Sequence, residues 1–205
     1  MAEAARTARM SRRTWLKMAG AGLSVLTARA ADPLTVTFDG DNLRVSAPSL
    51  HFLAGKPLER LKNGDTVTYL SQLTIFRDAF VTPIRRNNIE RFVISYNIWA
   101  DDKFTVSVPG KATVQNLSQK ATEAWCLDSL AVTASGLAPD TQFWLRFDLH
   151  TATQHDLDLV GDHGLNVTNL VMLLGRRPAA GSSWTLDAGP LRLADLVRTP
   201  GRGRG

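Results

Sequence analysis

Six side chains that bind divalent metals or carry protons fall within fourteen residues: His150, His155, Asp156, Asp158, Asp162 and His163. Neutral imidazole and carboxylate are the ligands that zinc or a similar ion takes, so three or four of these groups brought together would make a metal centre. The spacing works against it. His150 and His155 are five apart, on opposite faces of a continuous strand, and only a bend between them would let both meet one ion. Asp, His and Gly are also ordinary turn residues, and the sequence favours a solvated polar loop here. No metal site is therefore favoured, and His150, His155, Asp158, Asp162 and His163 stand as its weak candidates. His51 lies far from them and reads as a surface or core histidine.

Elsewhere the chemistry is absent by pattern. Gly110-Lys111 has Thr105 where a P-loop needs its first glycine and Ala112 where it needs Ser or Thr. There is no G-x-S-x-G, H-E-x-x-H, C-x-x-C or G-x-G-x-x-G. Cys126 is the single cysteine, which excludes an intramolecular disulfide and an iron–sulfur site built from paired cysteines. It follows Trp125 in a helical pattern and reads as a small apolar core residue rather than a nucleophile. No catalytic or cofactor-binding residue is assigned, and no cofactor is expected.

The elements that hold these residues are β-patterned. Residues 91–108, RFVISYNIWADDKFTVSV, alternate apolar and polar with period two over the longest run in the chain and predict a hairpin. Phe92, Ile94, Tyr96 and Ile98 share one face of its first arm, opposite Val93, Ser95, Asn97 and Trp99. Phe104, Val106 and Val108 share one face of the second, and Asp101-Asp102 marks the reversal. A hairpin alone is marginal in water, so other strands or a helix must cover its apolar face.

Residues 34–38 and 42–47 predict a first strand pair around Asp39-Gly40-Asp41. Pro57 opens a short helix that Asn63-Gly64 stops. Residues 66–76 predict a strand with Val67, Tyr69, Leu73 and Ile75 on one face and Leu70 and Phe76 on the other. Residues 77–88, with Pro83 and Arg85-Arg86-Asn87-Asn88, read as a polar loop. Asn116 reads as the start of a helix with Gln119 as capping partner and Leu117, Ala121, Ala124 and Trp125 as its buried stripe. Residues 131–140 read as turns. Residues 143–150 predict a strand with Phe143, Leu145, Phe147 and Leu149 opposite Trp144, Arg146, Asp148 and His150. A second helix fits 167–174, and 184–186 with 191–193 fit a last strand, broken or bent at Gly189-Pro190.

Near the start, Ser11-Arg12-Arg13-Thr14-Trp15-Leu16-Lys17 resembles the twin-arginine (Tat) export signal, S/T-R-R-x-F-L-K, with Trp15 where Phe is usual. Residues 18–28 are uncharged but too short and weakly apolar to span a bilayer, which takes ~20 residues. Ala28-Arg29-Ala30 supplies the small-x-small cleavage pattern. The expected organisation is a signal peptide over 1–30, a single β-rich domain over 31–196 and a disordered Gly/Arg tail over 197–205. Residues 1–30 hold six bases and one acid, so the net charge of +5 becomes 18 bases against 18 acids once they are removed. A neutral domain lacks the basic face that nucleic-acid binding requires, and no nucleic acid is expected as a partner.

The mature chain resembles a family of uncharacterised exported bacterial proteins, a domain of unknown function. The likeness runs through the first strand pair, Phe92 to Trp99 with Phe104 to Val108, Ala124-Trp125-Cys126-Leu127, Phe143 to Leu149 and Trp184 to Pro190. It implies a small envelope-facing domain and brings no catalytic residues. The expected fold is mainly β, an antiparallel sandwich or curved sheet with two short helices, the alternative being an α+β sheet with helices on one face. The expected function is a non-enzymatic binding or accessory module, periplasmic or extracellular. It would meet the Tat translocase in transit and then an envelope protein or ligand, and its mature chain would carry no transmembrane anchor. The alternative is a metal-dependent periplasmic enzyme using the cluster from His150 to His163. Trp99 and Trp144, on the less apolar faces of their strands, are read either as anchors for a partner or as packing under a second cover.

The address is open to direct test. Replacing Arg12 and Arg13 together by lysine should hold the full-length precursor in the cytoplasm in a fractionation assay, because lysine does not reproduce the paired guanidinium geometry. Unchanged secretion would remove the Tat assignment.

Overall fold

The computed structural model describes residues 34–99, 103–153, 156 and 182–199. The predicted signal segment 1–30, the predicted helix at 167–174 and residues 200–205 of the predicted tail lie outside them. The elements are β1 (Thr35–Phe38), β2 (Asn42–Ser46), α1 (Lys56–Lys62), β3 (Val67–Phe76), β4 (Pro83–Arg86), β5 (Glu90–Asn97), β6 (Lys103–Ser107), β7 (Thr113–Leu117), α2 (Gln119–Asp128), β8 (Ala131–Thr133), β9 (Phe143–Thr151), β10 (Ser183–Leu191) and β11 (Val197–Arg198), with a 3-10 turn at Leu193–Asp195.

The domain is mainly β, a sandwich with two short helices. A four-stranded sheet runs β11-β1-β2-β8, and a seven-stranded sheet runs β10-β9-β3-β5-β6-β7 with β4 paired to β3 beside that path. All strand pairs are antiparallel except β1 with β11, which is parallel. The inner faces of both sheets contribute to one core: Val36, Leu43, Val45 and Val132 from the small sheet meet Tyr69, Leu73, Ile94, Phe104, Val106, Leu145 and Phe147 from the large one. Such side chains contribute roughly 1.5–3 kcal/mol each on full burial. α1 lies against β3 and β5, and α2 against β2, β6 and β7. Among the described residues no helix is long and apolar enough to cross a membrane.

The alternation at 91–108 forms the expected hairpin. Phe92, Ile94, Phe104, Val106 and Val108 are buried, whereas Ile98 is exposed at the end of the arm. The Asp39-Gly40-Asp41 turn joins β1 to β2, with Gly40 at φ +99°. Gly64, at φ +90°, follows α1, where its lack of a Cβ removes the steric cost of that conformation.

Four readings are corrected. Residues 83–86 are a strand, β4, paired with the second half of β3, so the predicted loop at 77–88 is shorter than expected. Residues 113–117 are a strand, β7, and Asn116 is not a helix cap: it sits at φ +62° where the register with β6 shifts, a conformation Asn tolerates. Ser118 is the cap, its Oγ accepting from Ala121 N at 3.3 Å, while Gln119 donates to Leu53 O at 2.9 Å. The buried stripe of α2 is accordingly Thr122, Glu123, Cys126 and Leu127 rather than Leu117, Ala121, Ala124 and Trp125. Residues 131–133 form β8, inside the segment read as turns. Val197 and Arg198, assigned from sequence to the tail, pair with Thr37 and Phe38.

β3 exchanges partners midway, since β5 pairs with Val67 to Ser71 and β4 with Thr74 to Phe76. Asn87 closes the gap. Its Oδ1 accepts from Leu73 N at 2.7 Å, its N–H donates to Leu73 O at 3.1 Å, and its carbonyl accepts from Gln72 Nε2 at 3.1 Å. Asn87→Ala should cost about 1–3 kcal/mol in urea unfolding by orphaning a buried backbone N–H. Asn88→Ala, next door and exposed, should stay within about 0.5 kcal/mol. Equal effects at the two positions would contradict the splice.

Candidate functional site

The residues picked out by sequence for metal chemistry are only partly within the described structure. His155, Asp158, Asp162 and His163 lie outside it. His150 sits on β9 with Asp148 two residues before it, on the outer face of the large sheet, opposite the apolar row Phe143, Leu145, Phe147 and Leu149. Asp156 is occupied, because its Oδ2 accepts from both Thr153 N and Thr153 Oγ1 at 2.7 Å while its own N–H donates back to Thr153 Oγ1. That reciprocity is the pattern of a capping box. Among the described residues no three His, Cys, Asp or Glu side chains are grouped to hold a metal.

Near His150 several polar groups pair with one another, while Gln72 Oε1, opposite Asp148 on β3, is buried with no hydrogen-bond partner among the described residues. Thr185 donates to Asp148 Oδ1 at 2.8 Å, and Arg146 makes a two-pronged contact with Asp187 at 2.7 and 2.9 Å. The Arg146 guanidinium also lies 4.6 Å from the Phe80 ring centre and 5.5 Å from that of Phe76. Burial raises the Asp148 carboxyl above its usual range, against the pull of Thr185 and Arg146, and burial lowers the His150 imidazole against the pull of Asp156 and Asp148. Trp144, on the same outer face, is half-buried, and a Cβ on Gly189 would come within 2.6 Å of its ring. Trp99 is 91% exposed at the end of β5.

Cys126 is buried in α2, where burial and then the charge of Glu123 push its thiol up, the condition of an inert thiol. His51 Nδ1 lies 3.1 Å from Glu123 Oε2, and Glu123 Oε1 accepts from Leu53 N at 2.9 Å. This arrangement fixes residues 51–53 against α2.

A larger open space lies at the end of the small sheet. A cleft of about 1110 Å³ is bounded by the β1–β2 turn, by the segment after β8 and by the 3-10 turn with β11. The turn is rigidly built: Asp39 Oδ1 accepts from Asn42 N at 2.8 Å and Asp41 N at 3.2 Å, and Oδ2 accepts from Arg44 Nε at 2.8 Å. Burial raises the Asp39 carboxyl, but the contacts from Asn42, Arg44 and Asp41 outweigh it and hold it below the usual range. Arg44 also donates to Asp128 O at 3.3 Å. Sequence pattern did not find this cleft, because its walls come from three separated segments, which read locally as two turns and as a strand end with a tail.

His150 gives a pH test with a defined sign. Its folded-state pKa is depressed, so the unfolded chain takes up a proton first, near pH 6.5, and stability present above that point is lost as pH falls through the window below it. Asp148, raised, acts oppositely and only from its ordinary value of 3.8 upward. Urea unfolding from pH 8 to 5 should show wild type losing stability relative to His150→Gln below about pH 6.5. Parallel curves would show that His150 is not desolvated.

The chain matches no protein-family model, and no curated protein or solved structure is significantly similar to it.

Proposed function

We propose that the chain is an exported, non-enzymatic binding module of the bacterial envelope that takes its ligand in the cleft between the β1–β2 turn and β11. The observation that carries this reading is the cleft itself, about 1110 Å³ and framed by a turn whose carboxylate is already committed to holding its shape. Small-molecule sites are preformed concave spaces, commonly of roughly 300–1000 Å³ and mostly apolar, and this cleft is slightly larger and more polar than that. The export half of the reading rests on Arg12, Arg13, Trp15, Leu16 and Lys17 with the cleavage pattern at Ala28 and Ala30. The metal-dependent alternative rests on His150 with His155, Asp158, Asp162 and His163, the last four of which lie outside the described residues, and within that cluster Asp156 is engaged by Thr153.

A thermal-shift screen of the full-length chain against oligosaccharides, oligopeptides, organic acids and phosphate esters tests the reading. A ligand at a hundred times its Kd adds about 2.7 kcal/mol, a Tm rise of roughly 5–10 °C for a chain of this size. The rise should vanish in Ser135→Trp, which places an indole in the cleft from an exposed position. A screen with no cleft-dependent rise would remove the proposal.

A further inference from the structure

We infer that the ligand of this cleft is a neutral, polyhydroxylated molecule, an oligosaccharide in chemical class; the inference rests on the binding reading above. Part of the lining is already used. Asp39 and Arg44 are spent on each other and on backbone groups. The side chains of Asp41, Asn42, Ser135 and Arg198 line the same space and make no side-chain hydrogen bond to another described residue. These four comprise one pure acceptor, one pure donor, one amide that does both and one hydroxyl that does both.

That set discriminates between ligand classes. The formal charge of the acidic and basic side chains lining the cleft is balanced, Asp39 and Asp41 against Arg44 and Arg198. A polyanion would meet a single uncommitted base and the repulsion of Asp41. A divalent cation would find a single uncommitted carboxylate where it needs several oxygen ligands. An uncharged ligand dense in hydroxyls suits the set, since each hydroxyl both donates and accepts. Adjacent hydroxyls can also span the two atoms of a carboxylate, an amide or a guanidinium. The half-buried Phe38 and Leu137 and the exposed Pro139 add apolar surface for the C–H faces of a sugar ring. The volume leaves room for more than one ring.

The test is isothermal titration of the full-length chain with maltotriose, cellotriose and chitotriose, and in parallel with inorganic phosphate and citrate. At least one neutral trisaccharide should bind. Asp41→Ala and Arg198→Ala, both at exposed positions, should each weaken it tenfold or more without moving Tm. Trisaccharide binding indifferent to both substitutions would overturn the inference by placing the site elsewhere. Binding of phosphate or citrate in place of the sugars, abolished by Ser135→Trp, would overturn the sugar assignment and leave the binding module standing. Failure of every probe in the titration together with an empty thermal-shift screen would overturn both.

Discussion

The structure depends on keeping a buried strand fully paired. β3 is buried along nearly its whole length and on both faces, with Leu70 on the outer side as inaccessible as Tyr69 and Leu73 on the inner. A strand in that position has no water to satisfy its backbone, so every N–H and C=O needs a partner from the chain. β9 supplies one edge from Tyr69 to Phe76. The other edge takes two strands, β5 and then β4, and the junction is made by Asn87, whose side chain and backbone together act as the missing strand residue opposite Leu73. Beyond the point where β4 takes over from β5, the Phe76 and Phe80 rings meet edge to face, and the Arg146 guanidinium lies over both.

The second constraint is closure of the two sheets over one core. The chain crosses from β2 to α1 through His51, Phe52 and Leu53, and those three residues are fixed from several directions. Glu123 and Gln119 of α2 hold the two backbone groups of Leu53, Tyr69 of β3 donates to Phe52 O at 3.2 Å, and the Phe52 ring meets Tyr69 and Trp184 edge to face. A buried carboxylate in a helix is costly unless hydrogen-bonded. Glu123 meets that cost by capping a crossing segment that would otherwise carry an unpaired N–H into the core. Burial raises the Tyr69 hydroxyl, with the charge of Glu123 acting the same way, which suits a structural donor.

Much of this was legible where periodicity carried the signal. The rows Phe92 and Ile94, Phe104 and Val106, and Phe143 to Leu149 alternate cleanly because one side of each strand faces the core. The bend at Gly189-Pro190 appears as the register shift in β10 between Ala188 and Leu191. The missed strands lack that signal for a physical reason. β4 and β7 lie near sheet margins with mostly exposed side chains, and β8 is three residues long, so none needs an apolar alternation. α2 misled because its inward face carries Thr122 and Glu123, polar residues buried by specific bonds that composition cannot distinguish from a solvated face. The cleft was illegible for a different reason: Asp41, Ser135 and Arg198 become neighbours only when β11 returns to pair with β1.

The two polar regions differ in how far their side chains are already paired. On the outer face of the large sheet, Arg146 is paired with Asp187 and Asp148 with Thr185, and two aromatic rings lie by the guanidinium; past the end of β9, Asp156 is paired with Thr153. A ligand arriving there would have to break charge-assisted bonds already made, and the exchange would return little net free energy. At the cleft the commitment is divided. Asp39 and Arg44 build the frame, and Asp41, Asn42, Ser135 and Arg198 are left to solvent beside it. A rigid frame holding uncommitted donors and acceptors is the arrangement in which a ligand replaces water without displacing protein, because ordering the site has been completed by folding itself. The ligand site proposed above is the place where uncommitted groups stand beside a completed frame, whereas Arg146 and Asp148 of β9 are already engaged with Asp187 and Thr185.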